Sequence, residues 1–138
     1  MAIEFGTDAW IKELQVKLNE SEGYREAAKT WEGDFYFVIT AGPGVPKDIH
    51  LYVDLWHGAC RDAYKVADPS EKNPEFAITA PLSVWRKVVD RKLDPIQGLI
   101  TRQLKLKGNM FKVMKAPKAA QELVHCCTLV DTSWPTPK

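Results

Sequence analysis

Residues 34–41, DFYFVITA, are apolar at odd and even positions alike. A strand sends successive side chains to opposite faces, so a strand apolar on both belongs in the middle of a sheet with both faces covered. After the loop GPGVPKD, residues 48–56, DIHLYVDLW, alternate instead. Ile49, Leu51, Val53 and Leu55 share one face, and His50, Tyr52, Asp54 and Trp56 share the other. The first set is expected in the core. His57-Gly58 predicts a tight turn into a strand over 59–66, and EFAITA, 75–80, reads as a further strand.

Helical signals flank these strands. Thr7 is placed to cap a helix that gathers Trp10, Ile11, Leu14 and Leu18 on one face, and a second helix is predicted over 21–30 from Ser21. Past Pro81 the apolar spacing changes from two to three and four. Leu82, Trp85, Val88 and Val89 form one buried stripe. Asp94-Pro95 opens a short helix with Ile96, Leu99 and Ile100, and 103–107 alternate as a strand. A helix from Asn109 carries Met110, Phe111, Val113 and Met114. Pro117 starts the last helix, which offers Leu123, Val124, Cys127 and Leu129 to the core. The order αα-ββββ-αα-β-αα predicts an α+β fold, a mainly antiparallel sheet with its helices largely on one face.

At 138 residues the chain has the size of a single domain, 1–138. Its 45% hydrophobic and 27% charged residues are those of a soluble globular protein. The amino terminus lacks the basic cluster and apolar run of a signal peptide, and no stretch is long enough to span a bilayer, so a cytoplasmic location is expected. Three cysteines, two of them adjacent, do not suggest a disulfide framework and read as reduced apolar residues. The net charge of +1 conceals a division: residues 1–80 hold 8 Lys/Arg against 14 Asp/Glu, and residues 81–118 hold 10 against 2. The basic part could meet an anionic surface; a solvated run of lysines accounts for the same counts.

No glycine-rich phosphate loop, nucleophile elbow, H-E-x-x-H or paired C-x-x-C is present. Asp54, His57, Cys60 and Asp62 cluster around the expected hairpin and could hold a metal or activate a thiolate. Polar residues are ordinary at a strand end and turn, however, and Cys60 has no spacing signature. The adjacent cysteines of HCC, 125–127, would diverge by about 100° on a helix, which fits packing better than shared metal ligation. Lysines 105, 107, 112, 115 and 118 carry the charge of a nucleic-acid surface, but Trp85 and Phe111 stand at core-facing spacing, so no nucleic-acid partner is expected. What stands out is an apolar surplus at 110–114. Unbranched, polarisable methionines suit either a gap in the core or the wall of an adaptable cavity.

FAITAPLSVWRKVVDRKLDPIQGLITRQLKLKGNMFKVMK, residues 76–115, resembles the sterol carrier protein 2 (SCP2) lipid-transfer domain family. Lys92 to Pro95 matches that family's K-L-D-P-like turn, Leu104 to Met110 its L-K-I-K-G-N/D-M strand and exit, and Met114-Lys115 its M-K. LYVDLWHG is similar to the central strands. The resemblance implies a five-stranded, mainly antiparallel sheet covered by helices. It also implies an apolar tunnel between the two layers for a fatty acid, fatty acyl-CoA, sterol or phospholipid. Carried over residue by residue, it puts Trp85, Ile96, Leu99, Ile100, Met110, Phe111, Met114 and Leu123 nearest a ligand. Arg86, Lys87, Arg91, Lys92 and Lys112 would touch an anionic membrane or a CoA phosphate. Two departures are visible. Arg102-Gln103 stands where the family usually has a glycine, and the carboxy-terminal SWPTPK lacks the peroxisomal signal of some relatives.

The resulting expectation is a non-enzymatic lipid binder that needs no cofactor or metal and could carry its ligand between membranes. Two other readings stay open. One is a homodimeric interaction module with a closed cavity, using Tyr52, Trp56 and Tyr64 as its contact; the other is a metal or thiol enzyme at the Asp54/His57/Cys60/Asp62 cluster.

Overall fold

The computed structural model describes residues 2–135. Residues 136–138, part of the terminal stretch read above for a targeting signal, lie outside the described residues. In chain order the elements are β1 (Ile3–Glu4), α1 (Asp8–Glu20), α2 (Glu22–Ala27), β2 (Glu32–Thr40), β3 (Ile49–Trp56), β4 (Ala59–Val66), a 3-10 turn at Pro69–Glu71, and β5 (Phe76–Pro81). There follow α3 (Leu82–Val89), α4 (Pro95–Ile100), β6 (Lys105–Lys107), α5 (Met110–Met114), α6 (Pro117–Thr128) and β7 (Thr132–Ser133).

The main sheet has five strands in the order β4-β3-β2-β5-β6. Its β2, the strand apolar on both faces, occupies the centre. The β2–β3, β3–β4 and β5–β6 pairings are antiparallel, as expected, whereas β5 returns alongside β2 in parallel, with Phe35 opposite Phe76. Strands β1 and β7, two residues each, form a separate parallel pair that ties the two ends of the described chain together.

Local chemistry starts and stops the helices where the sequence indicates. Thr7 Oγ1 accepts from Trp10 N at 3.2 Å and Ser21 Oγ from Tyr24 N at 3.0 Å. Asp94 accepts from Gln97 N at 3.1 Å, ahead of Pro95. Each side chain satisfies a backbone donor that the first helical turn leaves free. Helix α2 ends at Ala27, short of the expected residue 30, and hands the chain through a turn to Trp31. His57 and Gly58 both take positive φ, 50° and 82°, which makes the two-residue turn between β3 and β4. Arg102, where the family usually has glycine nearby, also adopts a left-handed φ of 63°.

One layer of helices covers one face of the sheet. Trp10, Ile11, Leu14 and Leu18 of α1 are all buried, together with Phe35, Phe37 and Ile39 of β2 and Leu51, Val53 and Leu55 of β3. The other face carries a smaller cluster of Tyr36, Val38, Tyr52 and Val66, with Tyr64 and Ala77 packed against it. The segment after β4 folds over this cluster: Tyr36 Oη donates to Pro69 O at 3.0 Å and accepts from Lys72 N at 3.2 Å. Tyr52 is therefore no exposed contact residue, as the dimer reading required. It is buried, and its hydroxyl donates to Asp34 Oδ2 at 2.9 Å. The alternation of β3 did not reveal this because the covering groups come from elsewhere in the chain.

Helix α1 lies along β4, the edge of the sheet, and its polar side chains bond that strand's outward backbone. Asp8 accepts from Lys65 N at 2.8 Å and Asn19 Oδ1 from Cys60 N at 2.7 Å. Asn19 and Gln15 donate to Cys60 O, and Lys12 donates to Ala63 O.

Candidate functional site

Between the sheet and the helices lies an apolar cavity of about 110 Å³. Trp10 of α1, Phe37 and Leu51 of the sheet, Trp85 of α3, Leu99 of α4 and Leu123 of α6 are among its walls. Two of the indoles are anchored by their N–H groups, Trp10 to Thr132 Oγ1 at 2.9 Å and Trp85 to Val38 O at 3.0 Å. Buried indoles that satisfy their donor in this way present only carbon to the space they enclose. No polar or charged residue is buried among the described residues. The cavity can therefore hold a ligand by burying its carbon surface; the Tyr24 and Cys127 side chains in its wall are buried too, and burial raises the pKa of both above their ordinary values.

A second, outer pocket of about 430 Å³ lies where the end of α2 meets α5 and the start of α6. Trp31, Ala116 and Ala119 line both pockets, and Phe111, Lys112 and Lys115 line the outer one. Lys112 Nζ is held there by Glu75 Oε2 at 2.9 Å and by the carbonyl of Glu32. It also stands over the Trp31 and Phe76 rings, 5.2 and 5.6 Å from their centroids.

The residues singled out from the sequence divide between these places. Trp85, Leu99 and Leu123 line the inner cavity, and Phe111 lines the outer pocket, 78% exposed. Ile96 is half-buried and packs against the main core; Met114 is half-buried on α5; Ile100 and Met110 are exposed. Helix α5 turns Val113 inward. Arg86, Lys87, Arg91 and Lys92 are exposed on α3 and the turn after it, with Arg86 3.6 Å from Asp90 and stacked over Trp134. Lys112 stands apart from these four, bound to the sheet as described.

The proposed metal or thiol cluster does not assemble. Arg61 binds Asp54 through two nitrogens at 3.1 and 3.2 Å, His57 pairs with Glu32, and Cys60 Sγ is turned to the carbonyl of Asp62. Burial pushes the Cys60 thiol up to about 12, so it is protonated at neutral pH. No group of three or more His, Cys, Asp or Glu placed to hold a metal occurs among the described residues. Cys126 and Cys127 are buried in α6, and burial likewise raises the Cys127 thiol to about 12.

Sequence reasoning placed Leu51 and Leu55 in the core but not around a cavity, and it missed Trp31 entirely as a wall. Every second residue of β2 and β3 was the available signal for the first two. Trp31 gave none, because its role depends on α5 and α6 arriving beside it.

Sheet, helix layer and the apolar space between them define a small α+β fold built around a cavity. The sequence profile of the SCP-2 sterol transfer family matches residues 11–121, and the chain belongs to that family. A crystal structure of sterol carrier protein 2 is similar at 40% identity and a TM-score of 0.83, covering 92% of this chain and 99% of its own. The solution structure of a conserved hypothetical protein from Thermus thermophilus is similar at 39% identity and a TM-score of 0.82, covering 96% of this chain and 93% of its own. Palmitated SCP2L2 from Aedes aegypti, at 15% identity and a TM-score of 0.59, shares the fold, covering 91% of this chain and 96% of its own. No curated protein matches the chain. No helix among the described residues is long and apolar enough to cross a membrane.

Proposed function

We propose that the protein binds the hydrocarbon part of a single lipid, without chemistry on it, and carries it between membranes. The observation that supports this reading is the cavity lined by carbon between the sheet and helices, in a member of a sterol transfer family. Trp85, Leu99 and Leu123 are the predicted contacts that border it, and Phe111 would meet the part of the ligand nearest solvent. Arg86, Lys87, Arg91 and Lys92 form the exposed basic set proposed to meet an anionic membrane.

The magnitudes are adequate. A chain burying about fourteen methylenes at ~0.8 kcal/mol each gains roughly 11 kcal/mol. Association costs of at least about 4 kcal/mol leave about 7 kcal/mol, a Kd on the order of 10 µM.

Native mass spectrometry of the purified protein, followed by displacement titration with palmitate, tests the reading. The expected result is an adduct of lipid mass and saturable displacement, both abolished by Ala120→Phe, which fills the cavity wall on α6. Absence of adduct and of saturable binding in the unsubstituted protein would overturn it. Transfer rates that ignore anionic lipid and salt would remove the membrane part alone.

A further inference from the structure

We propose that the outer pocket is the mouth of the inner cavity, that the Trp31 ring is its door, and that Lys112 and Lys115 hold the carboxylate of the chain that enters. This rests on the lipid-binding reading above and adds a route, a ligand orientation and a latch.

Size argues for a wall that moves. The inner cavity of about 110 Å³ is smaller than the ~150 Å³ cavity that accepts a benzene, so a long chain needs more room than the cavity offers as it stands. The outer pocket of about 430 Å³ adjoins it, and the two together fall within the ~300–1,000 Å³ of small-molecule sites. Only Trp31, Ala116 and Ala119 line both. An alanine methyl has no rotamer that would clear the way, which leaves the half-buried Trp31, among the described residues lining both, as the shared wall that can swing.

Trp31 is closed by identifiable contacts. Its Nε1 donates to Gly33 O at 3.1 Å, its ring lies 5.8 Å from Phe35 and 5.5 Å from Phe76, and the Lys112 ammonium covers it. Lys112 is in turn fastened to the sheet by Glu75 and the Glu32 carbonyl. The charge of the mouth selects the ligand head. Among the described residues lining it the charged ones, Lys112 and Lys115, are cations, and the carboxylate behind Lys112 is that of Glu75. A fatty-acid carboxylate competes with Glu75 for the Lys112 ammonium, and displacing Glu75 releases the latch over Trp31. The exposed Phe111 ring gives the first methylenes an apolar surface at the rim.

The test compares palmitate with hexadecanol, which share a tail and differ in the head. The unsubstituted protein is expected to prefer palmitate, and the double variant Lys112→Gln/Lys115→Gln to lose that preference, with hexadecanol bound no more weakly than before. Glu75→Gln removes the internal competitor and loosens the latch, so it should tighten palmitate about two- to five-fold, the span of a half-exposed ion pair, and hexadecanol by less. In stopped-flow, Trp31→Ala should speed entry and release of both ligands. Parallel changes for the two ligands, or weaker palmitate binding by Glu75→Gln, would overturn the carboxylate site. Unchanged entry rates in Trp31→Ala would overturn the door. Failure of the unsubstituted protein to bind either ligand would instead overturn the lipid-binding reading itself.

Discussion

Replacing Leu51 by alanine separates a carbon-lined cavity from an ordinary core. Leu51 is 1% exposed, sits in β3 opposite Phe37 on β2, and borders the cavity. Removing three carbons forfeits about 2.4 kcal/mol of transfer free energy at ~0.8 kcal/mol each. Each further 50 Å³ left empty adds about 1.2 kcal/mol, because the space opens into an existing void and cannot be filled by collapse. The expected destabilisation is about 3.5 kcal/mol. For 138 residues an unfolding entropy near 2.1 cal/mol/K per residue turns this into a fall in Tm of about 12 °C. The enlarged cavity remains apolar, so palmitate at about one hundred times its Kd should return about 2.7 kcal/mol. Urea unfolding with and without palmitate measures both quantities. A loss below about 1.5 kcal/mol, or a variant that palmitate fails to stabilise while it stabilises the parent, would refute the placement of Leu51 on the ligand's wall.

Two further outcomes are expected. Gly58→Ala combines a φ of +82° with a Cβ 2.6 Å from the Arg25 carbonyl oxygen, a backbone atom that cannot step aside; a loss of roughly 2 kcal/mol or more by urea midpoint is expected, and a loss under 0.5 would count against the turn geometry. Burial raises the Cys60 and Cys127 thiols to about 12, whereas unfolded thiols ionise near 8.5. Above that pH the unfolded chain sheds protons that the folded chain keeps. The part of the stability that these two thiols govern should therefore fall between about pH 9 and 12. Cys60→Ala should make that decline shallower in urea midpoints taken at pH 7 and 10, and an unaltered slope would show that the Cys60 thiol ionises alike in both states.

Most of the sheet is legible in the chain because its two central strands differ in kind: Phe35 to Ile39 apolar throughout, Leu51 to Leu55 alternating. The helix starts are legible because Thr7, Ser21 and Asp94 each satisfy a donor within three residues of themselves. Three features are not legible. The parallel pairing of β5 with β2 leaves no local trace, since the β3–β4 hairpin intervenes. The two-residue strands β1 and β7 are too short for a period. In α5 four of five residues are apolar, so nothing in the stretch itself says that Val113 turns inward and Phe111 outward. The site follows the same division: helical spacing marks Trp85 and Leu99 as buried and the family resemblance puts them near a ligand, whereas Trp31 becomes a wall only through distant partners.

The polar side chains that α1 lays along β4 bear on how such a protein survives at high concentration. An open sheet edge is a template for another strand, and lipid binding as proposed above would add an apolar interior that opens. Here the Cys60, Ala63 and Lys65 backbone groups are already taken by Asn19, Gln15, Lys12 and Asp8, and the opposite edge is a strand of only three residues, Lys105–Lys107, with a lysine at either end. Neither rim of the sheet invites a second chain to add to it. Strand addition at either edge of this five-stranded sheet is therefore disfavoured, whatever the state of the cavity.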